Sequence, residues 1–240
     1  MRIVVTNCNT TTAMTEEITG AARAAAAPGT TVTGLTPAWG PESAEGWLDS
    51  HLSAAAVLDT LRTYDGPPYD AVVMAGFGEH GREGVRELVD VPVVDITEAA
   101  AHLACLLGRR YAVVTTLDRS RGQIEDSLET AGVARNCAAV IGTGLGVLDL
   151  AGDPARTGAA FLAAAGRAAR AGAEVLVLGC AGMAGLRKEL ADRLGLPVVD
   201  GVAAAVKLAE SLVALGLTTS RVGGYAKPLA KHRTWSRPAP

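Results

Sequence analysis

Aromatic side chains are scarce in this 240-residue chain: two Phe, three Trp and four Tyr. Few aromatics beside many small apolar residues are typical of α/β enzymes rather than disordered chains. No Lys/Arg block occurs beyond the short stretch around Lys231, His232 and Arg233, and the formal net charge is −3. Nucleic acid and anionic membrane surfaces are poor partners for such a chain, because both are bound through concentrated positive charge. Cysteine is sparse as well. Cys8, Cys105, Cys137 and Cys180 show no C-x-x-C and no metal-like spacing, so any cysteine chemistry is thiol chemistry rather than a disulfide framework or a zinc site. His51, His102 and His232 have no spacing to one another or to acids that suggests a metal site or a triad. Long apolar runs are missing too: Arg, Glu or Lys breaks even the Ala-rich segments, which argues against a membrane span. The chain opens on strand-like residues, Met1-Arg-Ile-Val-Val-Thr6, without the charged region, apolar helix and cleavage site of a leader. The expectation is a soluble, cytoplasmic protein.

What the chain has in quantity is Ala, Gly and Val, with 49% hydrophobic residues. Short β-branched runs bounded by Gly, Asn or Thr alternate with longer Ala/Leu/Glu/Arg stretches of helical spacing, the pattern of βαβ units on a parallel sheet. The runs predict strands at 2–7, 31–36, 70–75, 92–94, 110–115, 138–142, 174–179 and 197–199. Helices are expected over 11–26, 44–62, 97–108, 119–131, 155–172, 184–194 and 201–215, with Thr97, Asp118 and Ser120 as helix-start residues.

The chain also repeats itself. Ala71-Val-Val-Met-Ala-Gly76-Phe-Gly78 matches Val175-Leu-Val-Leu-Gly-Cys180-Ala-Gly182, and Val91-Pro-Val-Val-Asp95 matches Leu196-Pro-Val-Val-Asp200. A weaker pair is Ile3-Val-Val-Thr-Asn7 and Ala112-Val-Val-Thr-Thr116. Three matches in one order point to internal duplication, at a period too long for a solenoid. The fold class predicted is α/β, with two pseudo-symmetric parallel-sheet halves facing each other across a cleft. One half comprises 1–96 plus 201–240 and the other 97–200.

Ligands of open parallel sheets sit beyond the carboxyl ends of the strands. That places Asn7, Cys8, Asn9, Thr10, Trp39, Gly76, Phe77, Gly78, Thr115, Thr116, Ala181, Gly182 and Met183 at the site. Their small, donor-rich side chains and backbone suit a carbonyl-bearing small molecule or an anion. Cys180 opens a turn into a helix, where free N–H groups lower a thiol pKa; the competing reading is a small buried Cys packed under that helix. Gly76-Phe-Gly-Glu79-His80-Gly81 is neither G-x-G-x-x-G nor a phosphate loop. Glu79 and His80 are the titratable groups nearest the position that mirrors Cys180, and read either as catalysts or as solvated helix-start residues. Cys8 either looks into the cleft or packs. Asn7, Asn9 and their Thr neighbours either bind ligand oxygens or cap the first helix. Cys105 and Cys137 read as structural.

Asn7-x-Asn9-Thr-Thr, Gly40-Pro-x-Ser-x-Glu45-Gly, Val113-Val-Thr-Thr-Leu117, Gly179-Cys-Ala-Gly-Met183 and the run Pro197 to Leu208 together resemble the hydantoin and allantoin racemases of the aspartate/glutamate racemase superfamily, over essentially the whole chain. The resemblance implies a small-molecule substrate, a homo-oligomer, and no metal or organic cofactor. It also implies a mechanism with one Cys on each side of an acidic C–H: one thiolate removes the proton and the other thiol returns it to the opposite face. Cys180 matches the second cysteine. Where the first should stand this sequence has Gly76, followed by Glu79-His80 in place of Asp-Pro, and Asn-Pro-Asn has become Asn7-Cys8-Asn9.

The loss of a side chain at 76 suggests a vacated pocket, open to a larger substrate or a water. The leading expectation is a racemase or epimerase of a cyclic amide, with Cys180 on one face and His80, Glu79, Cys8 or water on the other. The alternatives are a single-thiol decarboxylase resembling arylmalonate decarboxylase, a non-catalytic small-molecule binder, or a cysteine replaced to trap a ligand.

Overall fold

In the computed structural model, residues 1–150 and 152–234 are described; residues 235–240 of the first expected half lie outside them. Two four-stranded parallel sheets carry the chain. The first contains β1 (Arg2–Thr6), β2 (Thr31–Leu35), β3 (Ala71–Met74) and β4 (Val93–Asp95) in the order β2-β1-β3-β4. The second contains β5 (Tyr111–Thr115), β6 (Cys137–Gly142), β7 (Val175–Leu178) and β8 (Val198–Asp200) in the order β6-β5-β7-β8. The two orders are the same pattern, so the duplication read from sequence is a duplication of fold. Every expected strand appears within one residue of its predicted ends. The central strands β1, β3, β5 and β7 are buried almost throughout. Both faces of each sheet are thus covered, which is why these strands read as unbroken Val/Ile/Leu/Ala runs rather than as alternating ones.

The helices are α1 (Thr12–Ala25), α2 (Trp47–Arg62), α3 (Arg82–Leu88), α4 (Ile96–Leu107), α5 (Arg121–Thr130), α6 (Pro154–Arg170), α7 (Arg187–Leu194) and α8 (Gly201–Ala214). The α1 face that buries Thr15, Ile18, Thr19 and Ala22 has the i, i+3, i+4, i+7 spacing of a core-facing stripe. The sequence reading offers Glu79 and His80 as helix-start residues but gives α3 no bounds, since its seven residues are too few to show a period. Two predicted helices begin as 3₁₀ turns, at Asp118–Ser120 before α5 and at Ala181–Leu186 before α7.

The start of α4 differs from expectation. Its cap is Asp95, whose carboxylate accepts from the N–H groups of Thr97 and Glu98, and Asp200 does the same for Val202 and Ala203 at α8. Thr97 lies inside the helix, and its hydroxyl accepts from the Gly78 N–H at 2.8 Å. Asp118 accepts from the Gly142 N–H instead of capping α5. The Ala-rich helices α4 and α8 pack against each other, α8 also covers β3 and β4, and α4 also covers β7. Ile3, Val73, Val113, Val177, Ala100 and Val202 share one hydrophobic core. That common core fixes the two sheets so that their carboxyl ends look at one another.

Candidate functional site

Between the strand ends lies a narrow cavity of about 40 Å³ that opens to solvent at its mouth. From the first half it is lined by Asn7, Cys8 and Asn9 after β1, by Met14 and Ile18 of α1, and by Ala75, Gly76, Phe77 and His80 after β3. From the second half come Thr115, Thr116 and Ser120 after β5, and Gly179, Cys180 and Ala181 after β7. Ala44 and Val147 close it from two loops. The Glu45 carboxylate holds those loops together by accepting from the Val147 N–H at 2.7 Å, and the Ser120 hydroxyl donates to the Glu45 carbonyl.

Cys180 follows Gly179, where β7 comes so close to β5 that a Cβ would fall 2.7 Å from a Val113 methyl and 3.0 Å from the Val114 carbonyl oxygen. Only Gly lets the chain turn there and carry the next side chain into the cavity. The N–H groups of Gly182 and Ala181 point at the Cys180 sulfur and favour its thiolate. Burial outweighs them, and the Glu17 and Glu45 carboxylates add to it, so the thiol is pushed up to about 11. The expectation of a lowered pKa is therefore reversed: Cys180 rests as a neutral thiol, because the desolvation of its sulfur outweighs the two N–H groups.

On the opposite wall Cys8 is buried, and desolvation followed by the Cys180 charge pushes it up to about 12. His80 is not the solvated helix-start residue of the competing reading. It is 4% exposed, and burial pulls it down to about 4, so the ring is neutral at neutral pH. Its Nδ1 lies 3.1 Å from the Ser50 hydroxyl oxygen, which also accepts from Gln123 Nε2 at 2.6 Å.

Position 76 overturns the idea of a vacated pocket. A Cβ built on Gly76 would lie 2.3 Å from His80 Cδ2, 2.7 Å from Cys8 Cβ and 3.0 Å from Cys8 Sγ. The volume of the missing side chain is already filled by two neighbours, leaving no room for a bulkier substituent or a water.

The remaining sequence candidates divide by direction. Glu79 turns away: it adopts φ 72, its carboxylate accepts from the Arg82 N–H, and its carbonyl accepts from Ser50 and Gln123. Trp39 is on the surface, with its indole N–H donating to Asp59 at 3.0 Å. Met183 is packed in the core of the second half, and Thr10 is tied to the Pro41 carbonyl. Neither Gly78 nor Gly182 lines the cavity. Asn7 and Asn9 do, but the Asn7 amide N–H groups are engaged by Asn9 Oδ1, the Thr15 hydroxyl and the Thr11 carbonyl. Asn7 therefore shapes the loop, while Asn9 Nδ2 meets only the Met14 sulfur at 3.5 Å and keeps donor capacity for a ligand. The Thr115 hydroxyl donates to the Gly179 carbonyl, bracing the Cys180 turn.

Met14, Ile18, Ala44, Ser120 and Val147 are wall residues that sequence reasoning missed. For the first two the signal existed, as an i, i+4 apolar pair on α1; for Ala44 and Val147 no local signal does. Cys105 and Cys137 lie on α4 and β6, outside the cavity. Among the described residues no group of three His, Cys, Asp or Glu could hold a metal ion, and no helix is long and apolar enough to cross a membrane.

The Asp/Glu/Hydantoin racemase family matches over residues 3–209. The hydantoin racemase of Paenarthrobacter aurescens is 39% identical over 96% of this chain and 99% of its own length. The crystal structure of the allantoin racemase of Pseudomonas fluorescens is 54% identical, with a TM-score of 0.96 over 98% of this chain and 100% of that one. An arylmalonate decarboxylase structure, at 19% identity and a TM-score of 0.64 over 94% of this chain and 97% of that one, shares the fold alone. Sequence, sheet order and strand-end cavity thus converge on one conclusion: the chain belongs to the Asp/Glu/Hydantoin racemase family and is an isomerase of the racemase class.

Proposed function

We propose that the substrate is a cyclic amide of the hydantoin, allantoin or cyclic-dipeptide type, and that Cys180 moves its α-proton. The observation that carries this reading is a thiol set at a strand end, beneath two backbone N–H groups, in a cavity walled by both halves. In the forward step the Cys180 thiolate takes the proton from the ring Cα. An S–H bond forms, the C–H bond breaks, and the electron pair moves onto the adjacent carbonyl oxygen as an enolate. Return of a proton to the other face of Cα, as the enolate pair re-forms the C–H bond, completes inversion. Asn9 Nδ2 supplies hydrogen bonding for the developing oxyanion. A ring amide α-proton is more acidic than that of an amino-acid zwitterion, so a thiolate suffices as base.

The test is proton NMR in D2O with enantiopure 5-benzylhydantoin, allantoin and a cyclic dipeptide in separate samples, read beside chiral chromatography. Protein-dependent loss of the α-proton signal with inversion in one ring class supports the reading. Absence of exchange in every sample sinks it. The Gly76–Cys180 pairing favours one second reading, a single-thiol decarboxylase, which would instead release CO2 from an arylmalonate; the filled space at Gly76 speaks against it.

A further inference from the structure

Inversion needs an acid–base group on each face of the substrate, and the strand end that mirrors Cys180 has no side chain at all. Its neighbours fill the space instead. The volume of a side chain at 76 is occupied by Cys8, whose Sγ stands 3.0 Å from where a residue-76 Cβ would be, and by the His80 ring edge at 2.3 Å. Cys8 reaches this point from the β1 loop rather than from β3, and it lines the same cavity as Cys180. The two sulfurs are close enough for the charge of one to raise the pKa of the other. Neither of the remaining thiols, Cys105 and Cys137, lines the cavity.

We propose that Cys8 is the second acid–base thiol of this enzyme, standing in from the β1 loop for the side chain that position 76 lacks, with Gly76 required to make room for it. The proposal rests on the racemase reading above. As the Cys180 thiolate takes the proton from one face of the ring, the Cys8 S–H gives its proton to the opposite face. The C–H bond made and the C–H bond broken balance, and the negative charge passes from Cys180 to Cys8. The reverse direction exchanges the two roles. Cys8 enters as a thiol, a proton donor, because its burial disfavours the charged form. His80 is a neutral ring held through Nδ1 by Ser50, and its edge fills the rest of the space at position 76.

Each enantiomer of the ring substrate is incubated separately in D2O with the wild type and with Cys8→Ala, Cys8→Ser, Cys180→Ala and His80→Ala. Both Cys8 variants are expected to lose inversion by about 10²-fold or more. Cys8→Ala should still wash out the α-proton of one enantiomer with retention, and Cys180→Ala should wash out only that of the other. A protein damaged in its fold loses both half-reactions, so the surviving one separates a chemical role from a packing role. The isosteric Cys8→Ser serves if the alanine variant does not fold.

Inversion by both Cys8 variants within about threefold of wild type overturns the proposal. So does the one-enantiomer pattern arising from His80→Ala instead, or loss of both half-reactions in folded Cys8 variants. If the Cys8 variants invert normally while Cys180→Ala is dead, the racemase reading stands and only the role of Cys8 falls. Absence of exchange by the wild type removes both.

Discussion

The ends of β3 and β7 have the same place in sheets of the same order, and each is followed two residues later by a wall of the cavity: Gly76 in one half, Cys180 in the other. At β7 the strand end brings its own thiol to the cavity wall, and Gly179 packs closely beneath it. At β3 the strand brings only an absence, and Cys8 and His80 close over it from the β1 loop and the loop before α3. The same frame therefore fills its two strand ends in different ways. A duplicated fold fixes where side chains can converge, and leaves open which loop supplies them.

The sharpest way to break the comparison is at Cys180. Cys180→Ser keeps the size of the side chain but replaces a thiol by a much weaker acid, so turnover should fall by about 10³-fold. Affinity for an unreactive ring analogue, measured by calorimetry, should stay within a few-fold. A variant with turnover near wild type would show that Cys180 only packs, and would remove the asymmetry on which the reading depends.

The helix caps compare the halves without touching the cavity. Asp200 caps α8 and is offset mainly by its backbone partners, whereas Asp95 caps α4 and also faces the buried Arg82 guanidinium at 3.9 Å. Arg82 and Asp95 are 1% and 0% exposed. Removing Asp95 thus costs a cap and leaves a buried cation with one fewer counter-charge. Asp95→Ala should lower unfolding stability by about 3 kcal/mol, and Asp200→Ala by about 1 kcal/mol. Equal losses in denaturant titrations at pH 7.5 would mean that the Arg82 pairing adds nothing.

The thiol pKa directions translate into a pH profile. Cys180 is raised to about 11, so its thiolate fraction in the free enzyme grows as pH rises toward that value. His80, pulled down to about 4, stays neutral throughout the neutral and alkaline range. kcat/KM should increase by about tenfold per pH unit between pH 7 and 9. A flat profile over that window would imply a thiolate already formed at neutral pH, and would restore the lowered pKa expected from the turn alone.

That expectation shows where sequence stops being legible. The eight strands, the duplication and the placing of Cys180 were readable because buried parallel strands leave continuous apolar runs and strand ends sit at fixed offsets from them. The pKa of Cys180 was not, since a helix-start turn is local while the burial that outweighs it comes from the whole cavity. The strand-end rule places Trp39 and Met183 at the site, yet one is held outward by Asp59 and the other belongs to the core. Position after a strand does not fix direction. Cys8 and Gly76 stand 68 positions apart in the chain, and their exchange of volume exists only once β1 and β3 pair, with Thr6 opposite Met74.

The last comparison is between two small substitutions at equivalent positions. Cys180→Ala removes one atom from a side chain that lines a cavity, where solvent can take up the space, so stability should change by less than about 1 kcal/mol. Gly76→Ala adds one atom where His80 Cδ2 and Cys8 Cβ already stand within 2.7 Å. The imidazole would have to swing from its Ser50 partner, or the β1 loop would have to lift. Overpacking of this kind costs about 2 kcal/mol, seen as a lower midpoint in thermal unfolding. The cost should shrink in Gly76→Ala/His80→Ala relative to His80→Ala, because the shorter side chain clears the nearest clash. If Gly76→Ala is as stable as wild type and the double variant shows no coupling, the space beside Gly76 is empty after all, and the two strand ends differ by a simple deletion rather than by a replacement from the neighbouring loop.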